Sequence, residues 1–280
     1  MSRLLPLLCL LVSMFARGEL LIAVPQDVLT DYQRLVAGRD VQAITDYSGP
    51  GARRDTVEMI LLQQALRLGG STEAVRFSPL NSYARIFHEV ENGRVAGSGT
   101  SVWAADAVDR KVQLSSAVIE EGEYVVGLYT VADNAEVLTM PIAKVLKQTA
   151  VTNRAWVNDY KVLQQLGFAH IESAPTFPMI ARMLNAGRAQ VTLMSFKPTP
   201  DLSSTLEGIK LVPLPGVKVA MSGSRHFIFA STPAGDRATR ALNAGLARLR
   251  TEGRIRRAYE AGGFFNARVN DWTLLNPPRH

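Results

Sequence analysis

Cysteine is almost absent from this sequence, which has Cys9 as its single example among 280 residues. Without Cys9, which lies in the N-terminal apolar run, the chain can form no disulfide and offers no thiol for catalysis, so its stability must come from a packed core. Motifs for zinc hydrolases, serine hydrolases and phosphate-binding loops are also missing, and the four histidines are widely spaced. We therefore predict a protein that is not an enzyme and that needs no cofactor and no metal.

Charge of one sign is spread along most of the chain, and the arginine-rich C-terminal stretch over residues 237–257 is interpreted as a solvated helix face. The 31 Lys and Arg against 25 Asp and Glu give a net charge of +6, but the basic residues are scattered. This pattern does not indicate a nucleic-acid interface, although a positive balance favours an anionic partner or improves solubility. The length suits one large domain or two modest ones with a sizeable core.

The first 18 residues have the pattern of a cleaved export signal. Arg3 precedes an apolar run over residues 4–15, and small residues at 16 and 18 mark a cleavage site before Glu19. A membrane anchor is the alternative, but the run falls short of the roughly 20 residues that span a bilayer. Lipidation of Cys9 is a second alternative. We predict export to the periplasm, with residues 1–18 removed.

From Glu19 onwards, predicted strands and helices alternate. We predict a first strand over 41–47, a helix over 55–68, a second strand over 72–77 and a helix over 83–90, with glycines at the helix ends. The order is repeated beyond residue 130, and a long strand over 224–230 precedes C-terminal helices. Such short connections favour mainly parallel sheets covered by helices, with ligands at the carboxyl ends of the strands.

Candidate ligand-binding residues follow these predicted strands. Arg110 ends a loop rich in Gly, Ser and Thr, where a guanidinium could bind a carboxylate through two parallel hydrogen bonds. Ser101 and Trp103 lie in the same loop, and Tyr47 follows the predicted first strand. The alternative for Arg110 is a surface ion pair with Asp106 or Asp109, and for the aromatic residues it is ordinary packing.

A predicted helix start in the second half offers another anion site. Asn153 and Arg154 lie where free N–H groups and the positive end of the helix dipole point the same way. Simple capping by Thr152 or Asn153 is the alternative. Arg225 and His226 could also face a cleft, but a lone histidine on a strand is more often structural.

Three passages carry a resemblance to a known family. NGRVAGSGTSVWAADAVDRKVQLSSAVI, MIARMLNAGRAQVTLMSF and LNAGLARLRTEGRIRRAYEAGGFF resemble segments of family 3 extracellular solute-binding proteins. The resemblance implies an α/β type II periplasmic-binding fold with two lobes, each a mainly parallel sheet, joined by crossing strands. It implies a first lobe of residues 19–122 and 224–280 and a second lobe of 123–223. By position, Arg110 would hold a ligand carboxylate and Tyr47 would flank the ligand.

Two departures from the family pattern change the expected ligand. Gln190 stands where the family commonly has an acid entering the second-lobe strand, and Ser195 stands where a carboxylate often receives the ligand ammonium. A standard amino acid would lose a charge-assisted partner worth about 1.5–3 kcal/mol. The surplus of candidate arginines, Arg54 and Arg154 among them, favours a carboxylate or another anionic solute instead.

These expectations combine into one predicted function with two alternatives. We predict an exported, monomeric solute-binding protein that closes its lobes on a small anionic solute and presents it to a membrane permease of an ABC transporter. The first alternative is a ligand-sensing subunit for a membrane receptor, kinase or cyclase. The second is an enzyme derived from the same fold.

Overall fold

The computed structural model describes residues 18–80, 82–154, 156–197 and 199–277. The predicted export signal, with Arg3 and Cys9, lies outside these ranges except for Gly18. In the described ranges, no helix has the length and apolar character needed to cross a membrane.

Strands and helices alternate along the first part of the chain, in the order β1 (Glu19–Pro25), α1 (Gln26–Val36), α2 (Arg54–Leu68), β2 (Ala74–Leu80), α3 (Tyr83–Glu91), β3 (Gly97–Ser98), β4 (Val102–Trp103) and β5 (Val112–Leu114). The middle of the chain contains β6 (Val125–Val131), α4 (Ala135–Thr139), α5 (Ile142–Val145), β7 (Thr149–Thr152), α6 (Val157–Gln165), β8 (His170–Ser173), α7 (Phe177–Asn185), β9 (Thr192–Met194), β10 (Ser204–Leu206), β11 (Ile209–Pro213) and β12 (Val217–Ala220). The last part contains β13 (Arg225–His226), β14 (Ile228–Ala230), α8 (Pro233–Thr251), α9 (Arg254–Ala261) and β15 (Thr273–Leu274). Short 3₁₀ helices span Val41–Ala43, Ala104–Ala107 and Ala267–Val269.

A five-stranded sheet with the order β2-β1-β3-β14-β5 forms the first lobe, together with α1, α2, α3, α8 and α9. Strand β1 pairs in parallel with β2 and β3, and β14 pairs antiparallel with β3 and β5. The apolar run of β1 is almost wholly buried, as expected for an interior strand covered on both faces.

The predicted first strand over 41–47 is wrong. The structure has the 3₁₀ helix Val41–Ala43 there, followed by a loop, and the first strand of the sheet is β1. The physical reason is that β1 offers a continuous apolar run for the sheet interior, whereas the stretch before Tyr47 includes Gln42, Thr45 and Asp46 and packs beside α2. In contrast, the predicted helices over 55–68 and 83–90 are confirmed as α2 and α3.

Helix α2 lies in the middle of the first-lobe core. It packs against α8 so closely that a Cβ on Gly245 would lie 1.8 Å from the carbonyl oxygen of Ala65. The same approach explains Gly69, whose Cβ would lie 1.7 Å from the carbonyl oxygen of Ala241. The two glycines therefore allow the helix backbones to touch, which fixes the position of the polar side chains at the start of α2.

Strand β6 is the hub of the second lobe, a six-stranded sheet with α4, α5, α6 and α7. It pairs antiparallel with β9, β11 and β12 along successive parts of its length. This sheet is thus mainly antiparallel, which differs from the parallel arrangement expected from the sequence. Parallel pairing occurs instead in the small β7-β8 ribbon and between β12 and β15.

The described chain passes between the lobes three times. Residues 115–124 lead from β5 to β6, and residues 221–227 return from β12 to β14, where Ile119 and Arg225 form a bridge. The third crossing follows α9: β15 joins β12 of the second lobe, and the Asn276 side chain bonds to the N–H and the carbonyl of Ala220. The predicted long strand over 224–230 is divided into β13 and β14 at this crossing.

Candidate functional site

A cleft of about 400 Å³ lies between the two lobes; its walls come from α2 and the β4-β13 pair on one side, from β6, β9, α6 and α7 on the other, and from both main crossings. The side chains around it are Arg54, Trp103, Tyr124, Val126, Asn158, Asp159, Phe177, Leu193, Met194, Ser195, Lys197, Met221, Arg225 and Phe264. Its volume falls within the range of about 300–1,000 Å³ that is typical of small-molecule sites.

A buried glutamate underlies the first-lobe face of this cleft. Glu58 is inaccessible to solvent and lies on α2 one turn after Arg54. Its carboxylate accepts hydrogen bonds from the backbone N–H of Ser101 at 2.7 Å, the Ser101 hydroxyl at 2.6 Å and the Tyr259 hydroxyl at 2.9 Å. Burial and the Glu58 charge raise the pKa of Tyr259 well above its ordinary value, so this phenol keeps the proton that it donates. Three hydrogen bonds therefore fix the position of this carboxylate.

Arg225 is the most buried cation of the cleft, at 4% exposure. Its Nε donates to the Ser101 hydroxyl at 2.9 Å, a terminal nitrogen donates to the Ser101 carbonyl at 2.5 Å, and the guanidinium lies 4.7 Å from the ring centre of Trp103. Pairing of β13 with β4 sets Arg225 opposite Trp103. Among the described residues, no carboxylate lies within ion-pairing distance of this guanidinium.

The electrostatic environment of Arg225 is unfavourable for its charge. Burial lowers the pKa of Arg225, and the neighbouring Arg54 lowers it further, while Glu58 acts in the opposite direction. Removing a guanidinium from water without a direct ion pair has a large free-energy cost, which an anion in the cleft would offset.

Arg54 lies beside this arginine but has its own acids. Its terminal nitrogen is 2.5 Å from the Asp55 carboxylate, and its Nε is 3.9 Å from Glu58. Burial lowers the pKa of Arg54, but Glu58 and Asp55 outweigh burial and raise it above the ordinary value. The Nε atom is buried and lacks a hydrogen-bond partner within the described chain, and the guanidinium lies 5.5 Å from the ring centre of Phe264.

The second-lobe face contributes one acid among apolar side chains. Asp159 lies in the first turn of α6, and burial raises the pKa of its carboxyl to about 6. At the base of this face, the Ser195 hydroxyl hydrogen-bonds to the Tyr124 hydroxyl at 2.5 Å. Tyr124 in turn stacks on Phe264 of the first lobe at 4.1 Å between ring centres, which joins the two faces.

Four of the sequence-predicted site residues lie at or beneath this cleft. Arg54, Trp103 and Ser195 line it, whereas Ser101 is 1% exposed and lies under its floor, where it connects Glu58 to Arg225. These placements locate the side chains, and their roles in binding stay predictions.

Tyr47 and Arg110 are placed elsewhere. The Tyr47 ring is buried in the first-lobe core, where its hydroxyl donates to Gln64 at 3.1 Å. Arg110 is exposed on the outside of the first lobe, 3.4 Å from the Glu91 carboxylate and over the Phe87 ring at 4.3 Å. The interpretation of Tyr47 depended on the incorrect strand over 41–47, and that of Arg110 depended on a loop that turns away through the 3₁₀ helix Ala104–Ala107.

Asn153 and Arg154 also lie outside the cleft lining. The Asn153 amide donates to the Pro175 carbonyl at 2.9 Å, and the backbone N–H of Arg154 donates to the Ser173 hydroxyl at 3.2 Å. The Arg154 side chain is exposed and covers the ring of Tyr160 at 5.3 Å. Helix α6 begins later than this pair, at Val157, so its first turn contributes Asn158 and Asp159 to the cleft instead.

Three residues of the site were not selected from the sequence. Glu58 and Asp159 were not named as candidates, and Arg225 was named but not favoured. Glu58 reads as an ordinary polar position of an amphipathic helix, but α2 is buried on nearly all sides. A signal did exist for Arg225, because an arginine within an apolar strand at a lobe crossing needs a special environment. Asp159 could have been found from the correct helix start.

Comparison with known proteins identifies the fold. No protein-family model and no curated protein matches the sequence. Among the similar solved structures is the probable amino-acid ABC transporter extracellular-binding protein ytmK from Bacillus subtilis, with 14% identity and a TM-score of 0.54 over 72% of this chain and 84% of that one. The substrate-binding domain 2 of Lactococcus lactis GlnP in an open conformation has 14% identity and a TM-score of 0.52 over 75% of this chain and 86% of that one. The periplasmic VFT2 domain of Bordetella pertussis BvgS has 12% identity and a TM-score of 0.51 over 87% of this chain and 93% of that one. At these identities the likeness shows the fold alone. The predicted α/β fold, with the two lobes of periplasmic-binding proteins, is confirmed.

Proposed function

We propose that this protein binds a small solute with a carboxylate or another anionic group in the cleft between its lobes. The observation that carries the proposal is Arg225, a buried guanidinium that lines the cleft, is oriented by Ser101 and Trp103, and has no ion pair among the described residues. A ligand carboxylate would supply the missing counter-charge in a site that excludes water, where a charge-assisted hydrogen bond is strongest.

In this proposal Arg54 assists Arg225 in binding the anionic group, and Asp159 influences which other groups the ligand carries. The Nε of Arg54 has donor capacity left, and its positive charge adds to the potential at the first-lobe face. Asp159 corrects the expectation that the cleft lacks an acid: a ligand that also bears an ammonium group would find a carboxylate on the opposite face. The anionic group is the primary determinant, because the described lining has three cationic side chains, Arg54, Lys197 and Arg225, and one acid, Asp159.

Binding in this position would favour closure of the lobes, since only a closed arrangement surrounds the ligand from both sides. We propose that residues 19–122 and 224–280 form one moving unit and that residues 123–223 form the other. The tail that contains β15 connects the two units as well, because β15 pairs with β12. Delivery to the permease of an ABC transporter, after export to the periplasm, is supported by the similar structure described as a probable amino-acid ABC transporter extracellular-binding protein. Signalling through a membrane receptor would use the same binding step with another partner.

Calorimetric titration of the purified protein tests the anionic requirement. The ligands are amino acids and mono- and dicarboxylates, each paired with its neutral amide. We expect an acid to bind at least tenfold more tightly than its amide, and Arg225→Met to weaken the acid about 10- to 100-fold through loss of a charge-assisted contact of about 1.5–3 kcal/mol. Circular dichroism verifies that the variant is folded.

Arg110→Met is the matched control, because it removes the same group from the outside of the first lobe. It should leave affinity unchanged. Loss of binding in Arg110→Met with full binding in Arg225→Met would reject the cleft assignment and restore Arg110 as the carboxylate ligand. Equal affinity for acids and amides would reject the anionic requirement itself.

A further inference from the structure

The cleft has a substantial apolar surface beside its charged groups. Trp103, Tyr124 and Phe264 form an aromatic group next to the arginines: ring centres of Trp103 and Tyr124 are 6.4 Å apart, and Tyr124 and Phe264 are stacked. We name these three side chains the aromatic wall. It is continuous with the anion site, since Arg225 lies over Trp103 and Arg54 lies near Phe264.

The opposite wall has an apolar part beside its polar residues Asn158, Asp159, Ser195 and Lys197. Phe177 from the start of α7, Leu193 and Met194 from β9, and Met221 from the return crossing line it together with Val126. Phe177 is partly exposed and packs beside Trp156, with 6.4 Å between the ring centres. A ligand between the two lobes would therefore contact aromatic rings on one side and aliphatic side chains with Phe177 on the other.

Most uncharged polar groups of the lining already have partners within the protein. The Asn158 amide donates to the Ser222 carbonyl at 3.1 Å, and the Ser195 and Tyr124 hydroxyls bond to each other. A solute with several hydroxyl or amide groups would have to break these bonds or leave its own groups unpaired, which is unfavourable in a desolvated cleft. A charged ligand group, in contrast, would bind the charged side chains of the cleft without breaking these hydrogen bonds.

We propose that the natural ligand is an amphipathic carboxylate: an acid with an aromatic or similarly large apolar body, placed with its carboxylate at Arg225 and its body between the aromatic wall and Phe177. This inference rests on the proposed function and adds the nature of the ligand body. Contact with aromatic rings and removal of apolar surface from water would supply the affinity that polar contacts do not.

Two matched ligand pairs test the proposal by calorimetric titration: 3-phenylpropanoate against propanoate, and L-phenylalanine against L-alanine. Within each pair only the phenyl group differs. We expect the phenyl member of at least one pair to bind tenfold or more tightly than its partner, as burial of a ring of this size predicts. Equal affinities within both pairs would overturn the proposal while leaving the anionic requirement intact.

A pair of variants on α7 tests the proposed position of the apolar body. Phe177→Ala should reduce the phenyl preference at least severalfold, whereas Met179→Ala, an exposed position on the same helix outside the cleft lining, should leave it unchanged. Equal responses of the two variants would overturn the placement.

Titration with 3-phenylpropanamide separates the two proposals. If the amide binds as tightly as the acid, the anionic requirement fails although the apolar site stands. If none of the acids binds, both proposals fail.

Discussion

The first-lobe face of the cleft carries two arginines over a buried glutamate, whereas the second-lobe face carries Asp159 and Lys197 among mainly apolar side chains. On the first face, each charged group is fixed by several hydrogen bonds or ion pairs to neighbouring elements. On the second face, burial acts on Asp159 without a compensating cation, and its pKa is raised. The contrast indicates that the first face is organised in advance for charge and the second is suited to contact with an apolar body.

The difference has a consequence for the order of events during binding. A preorganised charged face can attract and orient an anionic group without rearrangement, so the first lobe would bind the ligand first. The second lobe would then contribute apolar contacts as water leaves the cleft. Each of the following substitutions alters one side of this contrast.

The largest effect is expected from Glu58→Gln on the first face. Removal of a buried carboxylate leaves Arg54 and Arg225 close together with less counter-charge, so we expect a loss of about 3–5 kcal/mol in the free energy of unfolding. Urea denaturation measures it. Glu91→Gln is the control: this partly exposed carboxylate pairs with Arg110, and its removal should change stability by less than about 1 kcal/mol. Similar losses in the two variants would contradict the role given to Glu58.

A smaller effect of opposite sign is expected from Asp159→Asn on the second face. The folded-state pKa near 6 exceeds the ordinary 3.8, so the folded protein holds the proton more tightly and the wild type loses stability as pH rises from about 4 to 6. We expect the variant to be about 1–2 kcal/mol more stable at pH 7.5 and equal to wild type below pH 4. Urea denaturation at several pH values measures this trend.

Asp201→Asn is a control for Asp159→Asn, because the pKa of Asp201 is shifted in the opposite direction. A hydrogen bond from Lys210 lowers the pKa of Asp201, so this carboxylate stabilises the fold above its ordinary pKa and the benefit disappears as pH falls. The variant should gain no stability at pH 7.5. An Asp159→Asn protein with the same pH dependence as wild type would show that Asp159 is not desolvated.

The smallest effect is expected at the junction of the two faces. Tyr124→Phe removes the hydroxyl that bonds to Ser195 but keeps the ring stacked on Phe264. We expect a loss of about 0.5–1.5 kcal/mol, the usual net value of one such bond. Thermal unfolding followed by circular dichroism measures it. A loss of several kcal/mol would mean that the hydroxyl bond, rather than ring stacking, joins the faces.

Much of the fold follows from local patterns in the sequence. The apolar spacing and capping residues predict α2 and α3 within one residue at each end, because periodicity depends only on neighbouring positions. Strand β1 was not recognised as the first strand because a short apolar run does not distinguish a strand from the end of an export signal. The antiparallel pairing around β6 depends on long-range contacts that no local pattern specifies.

The site was harder to predict because its side chains come from segments that are far apart in the sequence. Arg54 and Glu58 start one helix, Ser101 follows β3, and Arg225 lies more than a hundred residues later. The apolar strand that follows Arg225 is the local signal that separates this buried arginine from the exposed Arg110. The resemblance to a binding-protein family predicted the architecture, but the 3₁₀ helix Ala104–Ala107 leads Arg110 to another surface.

Electron spin resonance distance measurement across the cleft tests the central claim most directly. Apart from Cys9 in the predicted export signal, the sequence has no cysteine, so Val108→Cys and Val157→Cys provide two labels at exposed valines, one on each lobe. We predict that a bound carboxylate shortens the distance between the labels, that its neutral amide does not, and that Arg225→Met abolishes the shortening. An unchanged distance in a protein that calorimetry shows to be saturated with the acid would contradict capture of the solute by closure of the two lobes.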